Sequence, residues 1–270
     1  MSTVRTLMAV TTTGSRIGML LRDWRQRRRL SQMELALDAG VSTRHLSFVE
    51  TGRSQPSAEM VLTLAEQLEV PLRERNQLLL AAGYAPRYGD HSLDDPELEN
   101  VRDAVGHVLA GHEPYPAFAV DRWWNMVASN AALGPLLEGV SDELLTPPVN
   151  CIRVALHPDG LAPRILNLPE WKGHLVHRLQ REARVSGDPK LTELLDEALG
   201  YPGEPAPQDP SGLSLMVALR LAAGAQGPPL SFISTVTTFG TAVEVTVSEL
   251  SLETFFPADP DTAAWLQRRS

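Results

Sequence analysis

The feature that most restricts this chain is a pair of short helix signals separated by one glycine near its beginning. Ser31 followed three residues later by Glu34 forms a capping box, in which hydroxyl and carboxylate each satisfy an orphan backbone N–H at a helix start. The helix then runs from about Gln32 to Ala39, and Gly40 stops it, because glycine takes the left-handed conformation that a sharp helix end requires. Ser42 is placed to cap a further helix ending near Thr51, with Gly52 as its stop. Two short helices joined by a tight glycine turn form a helix-turn-helix, whose second helix enters the major groove of DNA.

The apolar spacing agrees. At 100° per residue Leu46 and Val49 fall on an inward side of the second of these helices, while Thr43, Arg44, Ser47 and Phe48 share the opposite side. Arg44 suits the two acceptors of a guanine, and Phe48 and the Thr43 methyl suit thymine methyls. Gln32 and Ser42, at helix N-termini, and Arg53, just past the recognition helix, suit phosphate oxygens. A preceding helix begins near Arg16, with Ile17, Leu20, Leu21 and Trp24 at helical spacing and Arg22, Arg25, Arg27, Arg28 and Arg29 on its other faces. Ser57 caps a fourth helix carrying Met60, Val61, Leu64, Ala65 and Leu68, and Leu72 to Ala82 supplies a fifth. Residues 1–15, rich in Thr and Ser and without apolar period, read as a loose tail.

Charge divides along the chain in a way its net value of −9 hides. Residues 1–89 carry 12 arginines against 8 acidic residues, while residues 90–270 carry 12 basic against 25 acidic ones. A basic head is therefore joined to an acidic body, and the head can neutralise phosphates whatever the total charge. The whole is long enough for two domains, and 43% hydrophobic residues with 21% charged ones exclude a disordered chain. The one cysteine, Cys151, excludes an internal disulfide and any multi-cysteine metal site. No apolar run approaches the ~18 residues of a membrane span and no signal-peptide core opens the sequence, so a cytoplasmic protein without membrane contact is expected.

The segment LSQMELALDAGVSTRHLSFVETGRSQPSAEMVLTLAEQLEVPLRERNQLLLAAGYAP resembles the XRE-type helix-turn-helix of bacterial transcription regulators over about residues 16–86. The resemblance implies a five-helix, lambda-repressor-like DNA-binding domain, taken as residues 16–83. Many phage-repressor relatives carry a polar residue where Phe48 stands.

Glycine, proline and turn-forming aspartates mark residues 84–95 as a linker. A helix from about Pro96 to Ala110 follows, with Leu98, Val101, Val105, Val108 and Leu109 on one side. Two short strands are expected, Ala117 to Asp121 and Trp124 to Ser129, across an Asp121-Arg122 turn. Helical spacing occupies the middle: Asn130 is placed to cap Ala131 to Leu137, and Val149 to Leu156, Glu170 to Val185 and Leu191 to Leu199 follow. The period then changes to two. Leu213, Leu215, Val217, Leu219 and Leu221 alternate, as do Val243, Val245 and Val247, with the β-branched stretch Phe232 to Phe239 between them and Gly240 as a hairpin turn. The expectation is an α+β domain over residues 96–270: a five-stranded antiparallel sheet, helices over one face and a cavity between the layers.

HEPYPAFAVDRWWNMVASNAAL, NCIRVALHPDGLAPRILN and STVTTFGTAVEVTVSELSLETFFPAD resemble the MmyB-like ligand-binding domain, over about residues 96–267. That likeness implies a PAS-like fold and a small-molecule sensor accompanying the helix-turn-helix.

From their chemistry, Tyr115, Trp123, Trp124, Trp171 and Phe239 are the large surfaces suited to line a pocket, although core packing is the simpler use for most of them. Arg153, His157 and His174 are candidate anchors for a carboxylate or phosphate head, each with an ordinary structural role as the alternative. Cys151 reads as a buried small hydrophobe. His174 and His177 share a helix face, but with Glu170 they form no recognised zinc motif, and Cys151 with His157 lacks an orienting third group. No enzyme, metal or cofactor is expected. The reading is a transcription regulator that binds a pseudo-palindromic operator as a homodimer and whose DNA affinity responds to a small apolar or amphipathic molecule, fatty-acyl-like or a fatty acid. The competing reading is an antitoxin-like DNA-binding protein whose second domain only dimerises or docks a protein partner.

Overall fold

The computed structural model describes residues 13–206, 217–223, 228–240 and 242–268, and the chain divides into two compact units between Asp90 and His91. The first unit is all-helical: α1 (Thr13–Arg27), α2 (Gln32–Asp38), α3 (Thr43–Glu50), α4 (Ala58–Gln67) and α5 (Leu72–Ala81). The capping box is formed as the residues require. Ser31 Oγ accepts from Glu34 N at 3.2 Å and the Glu34 carboxylate accepts from Ser31 N at 2.7 Å. Gly40 turns the chain at φ 67°, where a side chain would be strained. Ser42 and Ser57 cap α3 and α4 through His45 N and Met60 N. Ile17, Leu21 and Trp24 of α1 pack with Leu35, Leu46, Val49, Leu64 and Leu78 into one buried core.

The fit of α1 against α3 depends on Gly18. A Cβ there would lie 2.4 Å from Val49 O and 2.6 Å from Glu50 O, so only glycine lets the two helices approach this closely. Helix α1 also begins three residues before the expected Arg16. Residues 1–12 of the expected tail lie outside the described residues.

Beyond α5 the chain is tied back onto the first unit. Asn76 Oδ1 accepts from Arg87 N and Tyr88 N, its Nδ2 donates to Tyr88 O at 2.9 Å, and Arg73 pairs with Asp90 at 2.6 Å. From His91 onward the bonds belong to the second unit: Thr246 Oγ1 donates to His91 O at 2.6 Å and His91 N to Glu244 Oε1 at 2.9 Å.

The second unit opens with a 3-10 turn, Pro96–Leu98, and α6 (Glu99–Gly111). It continues through β1 (Ala117–Val120), β2 (Met126–Ser129), α7 (Gly134–Leu137), α8 (Cys151–Leu156), α9 (Leu168–Ser186) and α10 (Pro189–Gly200). It ends with β3 (Leu219–Ala222), β4 (Pro229–Thr238), α11 (Val245–Ser248), β5 (Ser251–Pro257) and α12 (Pro260–Gln267). The five strands form one antiparallel sheet in the order β2-β1-β5-β4-β3, the PAS-like sheet that the resemblance implies.

Four details differ from the sequence reading. Val243, Val245 and Val247 do not form a strand: Val245 and Val247 lie on α11, started by Glu244, whose carboxylate accepts from Val247 N, and Val243 is exposed. A spacing of two over three residues fits one turn of helix as well as a strand. The fifth strand is β5 instead, whose residues 252–255 are buried in succession because it lies inside the sheet with both faces covered. Helices cover both faces, not one: Val105 and Leu109 of α6 pack on Ala117, Ala119 and Leu252, while Leu175 and Leu179 of α9 share the opposite core with Phe232 and Phe255. Finally, Asn130 caps no helix. Its side chain bridges Ala117 N, Leu109 O and Tyr115 O, tying β1 to α6. Leu213 and Leu215 of the expected alternating strand lie outside the described residues, and Val217 precedes β3.

Candidate DNA-reading surface and ligand cavity

In the first unit, Leu46 and Val49 of α3 are fully buried while Thr43 and Arg44 are exposed and Ser47 and Phe48 half-buried. The four side chains named for base reading thus share the outer side of the helix. The Arg44 guanidinium lies 5.3 Å from the centre of the Phe48 ring and that of Arg53 6.0 Å, so Phe48 supports two cations at the end of the helix. Ser47 O also accepts from Thr51 Oγ1 at 2.7 Å.

Behind that surface is a buried ion pair that the sequence reading did not find. Arg25 on α1 binds Glu50 at the end of α3 through Nε at 2.7 Å and Nη2 at 2.8 Å, and its Nη1 donates to Leu30 O at 2.8 Å. Gln32, expected on a phosphate, donates its amide to Glu50 Oε2 at 2.8 Å. Burial pushes the Glu50 carboxyl up, but the bonds from Arg25 and Gln32 outweigh it and hold the group below the usual carboxylate range. One carboxylate therefore joins α1, the start of α2 and the end of the recognition helix.

In the second unit a cavity enclosing about 820 Å³ of space free of protein atoms, part of it open to solvent, lies between the sheet and α8–α9. Its wall is apolar, with Phe118, Leu136, Ile152, Leu219 and Phe255 among its residues. Trp124, Trp171 and His174 of the expected set line it, and His174 stacks on Trp171 with ring centres 5.3 Å apart. Burial, with the nearby charge of Arg178, keeps the His174 imidazole below its ordinary value and hence neutral at pH 7. Cys151 also lines the cavity, and burial pushes its thiol far up, so it is inert.

The remaining expected residues lie elsewhere. Tyr115 packs on His112 and Phe256, and Phe239 joins the cluster under α6. Trp123 holds Lys190 at 4.4 Å on its ring and donates its indole N–H to Asp188. Arg153 is paired with Glu197 through two bonds of 2.8 and 2.9 Å, and His157 accepts from Asp159 N beside the Tyr201 ring. Tertiary pairing satisfies these groups, which residue type alone does not reveal.

The polar end of the cavity comes from residues the sequence reading passed over. Arg178 on α9 donates Nε to Glu182 Oε1 at 3.0 Å and Nη1 to Glu253 Oε1 at 2.5 Å, and its guanidinium lies 4.3 Å from the centre of the Trp124 ring. Trp124 Nε1 donates to the other Glu182 oxygen at 2.8 Å. Trp124 has φ 66°, a strained value for an aromatic residue, and this network holds it there. A signal was present, because Trp171, His174 and Arg178 recur at helical spacing on one face of α9.

A helix-turn-helix on a helical head and an apolar cavity with a polar end in an α+β body are the marks of a two-domain DNA-binding regulator. The comparisons agree. The MmyB-like transcription regulator ligand binding domain matches residues 101–268 and a helix-turn-helix model residues 21–75, so the chain belongs to the MmyB-like transcription regulators. It is a DNA-binding transcription regulator. No curated protein matches it. Among solved structures it is similar to the clp gene regulator ClgR from Corynebacterium glutamicum, at 26% identity over 27% of this chain and 90% of that one, with a TM-score of 0.24. It is also similar to the restriction-modification controller protein C.AhdI from Aeromonas hydrophila, at 32% identity over 23% and 94%, with a TM-score of 0.22. No helix among the described residues is long and apolar enough to cross a membrane.

Proposed function

We propose that the chain is a cytoplasmic, ligand-responsive regulator whose residues 16–83 bind operator DNA and whose residues 96–270 dimerise and hold a small effector, with 84–95 connecting them. In this reading Thr43, Arg44, Ser47 and Phe48 face base edges, and Ser42 and Arg53 face phosphates. Gln32, one of whose amide N–H groups is held by Glu50, faces a phosphate with the other. Two heads spaced ~34 Å apart read a pseudo-palindrome, since one helix reads too few base pairs.

The observation that carries the effector half is the apolar cavity closed at one end by Arg178, Glu253 and Trp124. Its wall suits an apolar or amphipathic molecule with a fatty-acyl-like tail. Such a ligand changes DNA affinity only by preferring one arrangement of the body, and a coupling of ~1–3 kcal/mol would alter operator affinity ~5–150-fold.

Protein purified mildly and extracted with organic solvent should release a stoichiometric small molecule into the mass spectrometer, or else melt higher with members of a metabolite and lipid panel. Selection of genomic DNA with and without cell-extract lipids should return one palindromic site whose recovery changes. A body that neither releases nor responds to any small molecule, while a protein partner shifts the DNA binding, would favour the antitoxin-like reading.

A further inference from the structure

We propose that the polar end of the cavity takes a head group that donates hydrogen bonds and carries no negative charge, an amine or alcohol on an apolar body, and that Glu253 selects it. The inference rests on the reading of the cavity as the effector site and adds the chemical class of the head.

The argument is one of charge and free valence. Arg178 and Glu253 are the lining side chains that carry charge, because His174 is held neutral and the Cys151 thiol protonated. Arg178 already answers two carboxylates, Glu182 and Glu253, so one cation stands against two anions. Glu182 is satisfied on both oxygens, by Arg178 and by the Trp124 indole. Glu253 is not. Its side chain is 5% exposed, its Oε1 accepts from Arg178, and its second oxygen accepts from no donor among the described residues. The unmet acceptor belongs to a residue that lines the cavity on β5, the strand whose Phe255 lines it too.

That second oxygen is not sealed from solvent, so it stays free to accept from a group that enters the cavity, where a charged carboxylate gains most from a donor. A ligand hydroxyl or ammonium placed beside Glu253 supplies the missing donor, and the ammonium also balances the second negative charge. A carboxylate does neither. It can reach the remaining N–H groups of Arg178, but only beside a Glu253 whose own compensation it dilutes, in surroundings where like charges are poorly screened. Burial raises the Glu253 carboxyl above its usual range against the opposing pull of Arg178, which agrees with a carboxylate short of partners. The apolar wall is indifferent to this choice, so tail and head are selected by different parts of the cavity.

The test compares three probes of equal chain length, decylamine, 1-decanol and decanoate, the two ionic ones below their micellar concentrations and the alcohol below its solubility limit at pH 7.5, titrated calorimetrically into the full-length protein. Decylamine and decanol should bind at least tenfold tighter than decanoate. Glu253→Gln, which keeps an oxygen for Arg178 while removing the charge, should move the amine-to-carboxylate ratio at least tenfold toward decanoate. Glu182→Gln, off the cavity wall, should move it less. Decanoate binding as tightly as the other two would overturn the head-group assignment and leave the cavity reading intact, and the wild-type ratio alone decides this even if a variant does not fold. An unchanged ratio in a folded Glu253→Gln protein would remove Glu253 from selection. Failure of all three probes, with no small molecule extracted from the purified protein, would overturn the cavity reading itself.

Discussion

Glu50→Gln should loosen the recognition helix without replacing any side chain proposed to face DNA. Glu50 and Arg25 are 7% and 9% exposed, and the carboxylate receives three charge-assisted bonds, two from Arg25 and one from Gln32. Removing one partner of a buried pair costs about 3–5 kcal/mol, because the other charge stays buried and uncompensated. Glutamine keeps the shape and one acceptor, so the lower end applies. At ~4–8 °C per kcal/mol for a domain of this size, a loss of about 3 kcal/mol lowers melting of the head by roughly 12–24 °C. Hydrogen exchange with mass spectrometry on the full chain reads this locally, in peptides spanning residues 20–32 and 43–52. Operator affinity should fall with it. Arg25→Met with Glu50→Leu, an apolar pair replacing an ionic one, should recover most of the stability. The pH dependence supplies an independent check. The Glu50 carboxyl lies below its ordinary value in the fold, so its stabilisation is complete above the unfolded-state value and is lost as pH falls through the folded one. The gap between wild type and Glu50→Gln should therefore narrow in acid. A loss under about 1 kcal/mol, or a double variant no better than the single one, would refute the account of this pair as the joint behind the reading helix.

Other outcomes follow from the same geometry. Arg44→Ala should cost about 1–3 kcal/mol at the selected operator while sparing non-specific DNA, and Arg53→Ala should weaken all DNA alike; equal losses at every sequence in mobility-shift titrations would take Arg44 out of base reading. Gly18→Ala should lower head stability measurably in the same exchange experiment, because its methyl must push α1 away from the carbonyls of Val49 and Glu50; an unchanged profile would mean the helices have room to part. Ala155→Phe should fill the cavity and abolish any ligand-induced rise in melting while leaving operator binding in the absence of ligand intact, at an overpacking cost of about 1–3 kcal/mol; a retained thermal shift would place the ligand elsewhere. The folded Glu253 carboxyl lies above its ordinary value, so the native body holds a proton that the unfolded chain releases, and stability declines as pH rises between those two values. Glu253→Gln should remove that decline in denaturant titrations, and a parallel decline in the variant would assign it to another group.

What was legible in the sequence is what local chemistry decides. Ser31, Glu34, Gly40, Ser42 and Ser57 act within a few residues of themselves, so caps and turns could be read one at a time, and a helical wheel placed Thr43, Arg44, Ser47 and Phe48 outward. What was not legible is decided at long range. Gln32 gave no sign that Glu50, 18 residues on, would take one N–H of its amide. Arg153 looked like an anchor until Glu197, 44 residues on, neutralised it. Gly18 carries no local signal at all, since its need arises only where α3 crosses it.

The same distinction explains why β5 was missed and why it matters. Alternation identifies strands with one wet face, and β5 has none: Leu252 meets the α6 side of the sheet while Glu253 and Phe255 meet the cavity side. Read as composition, SLETFF is an apolar run interrupted by two polar residues. Read as a buried strand, it holds a carboxylate at a place where an apolar residue would pack at less cost, 75 residues from the arginine that partly compensates it. A fold that needed only a core would gain by replacing Glu253. Its position on the cavity wall, with one oxygen left without a donor, is the arrangement expected if the compensating group arrives with a ligand.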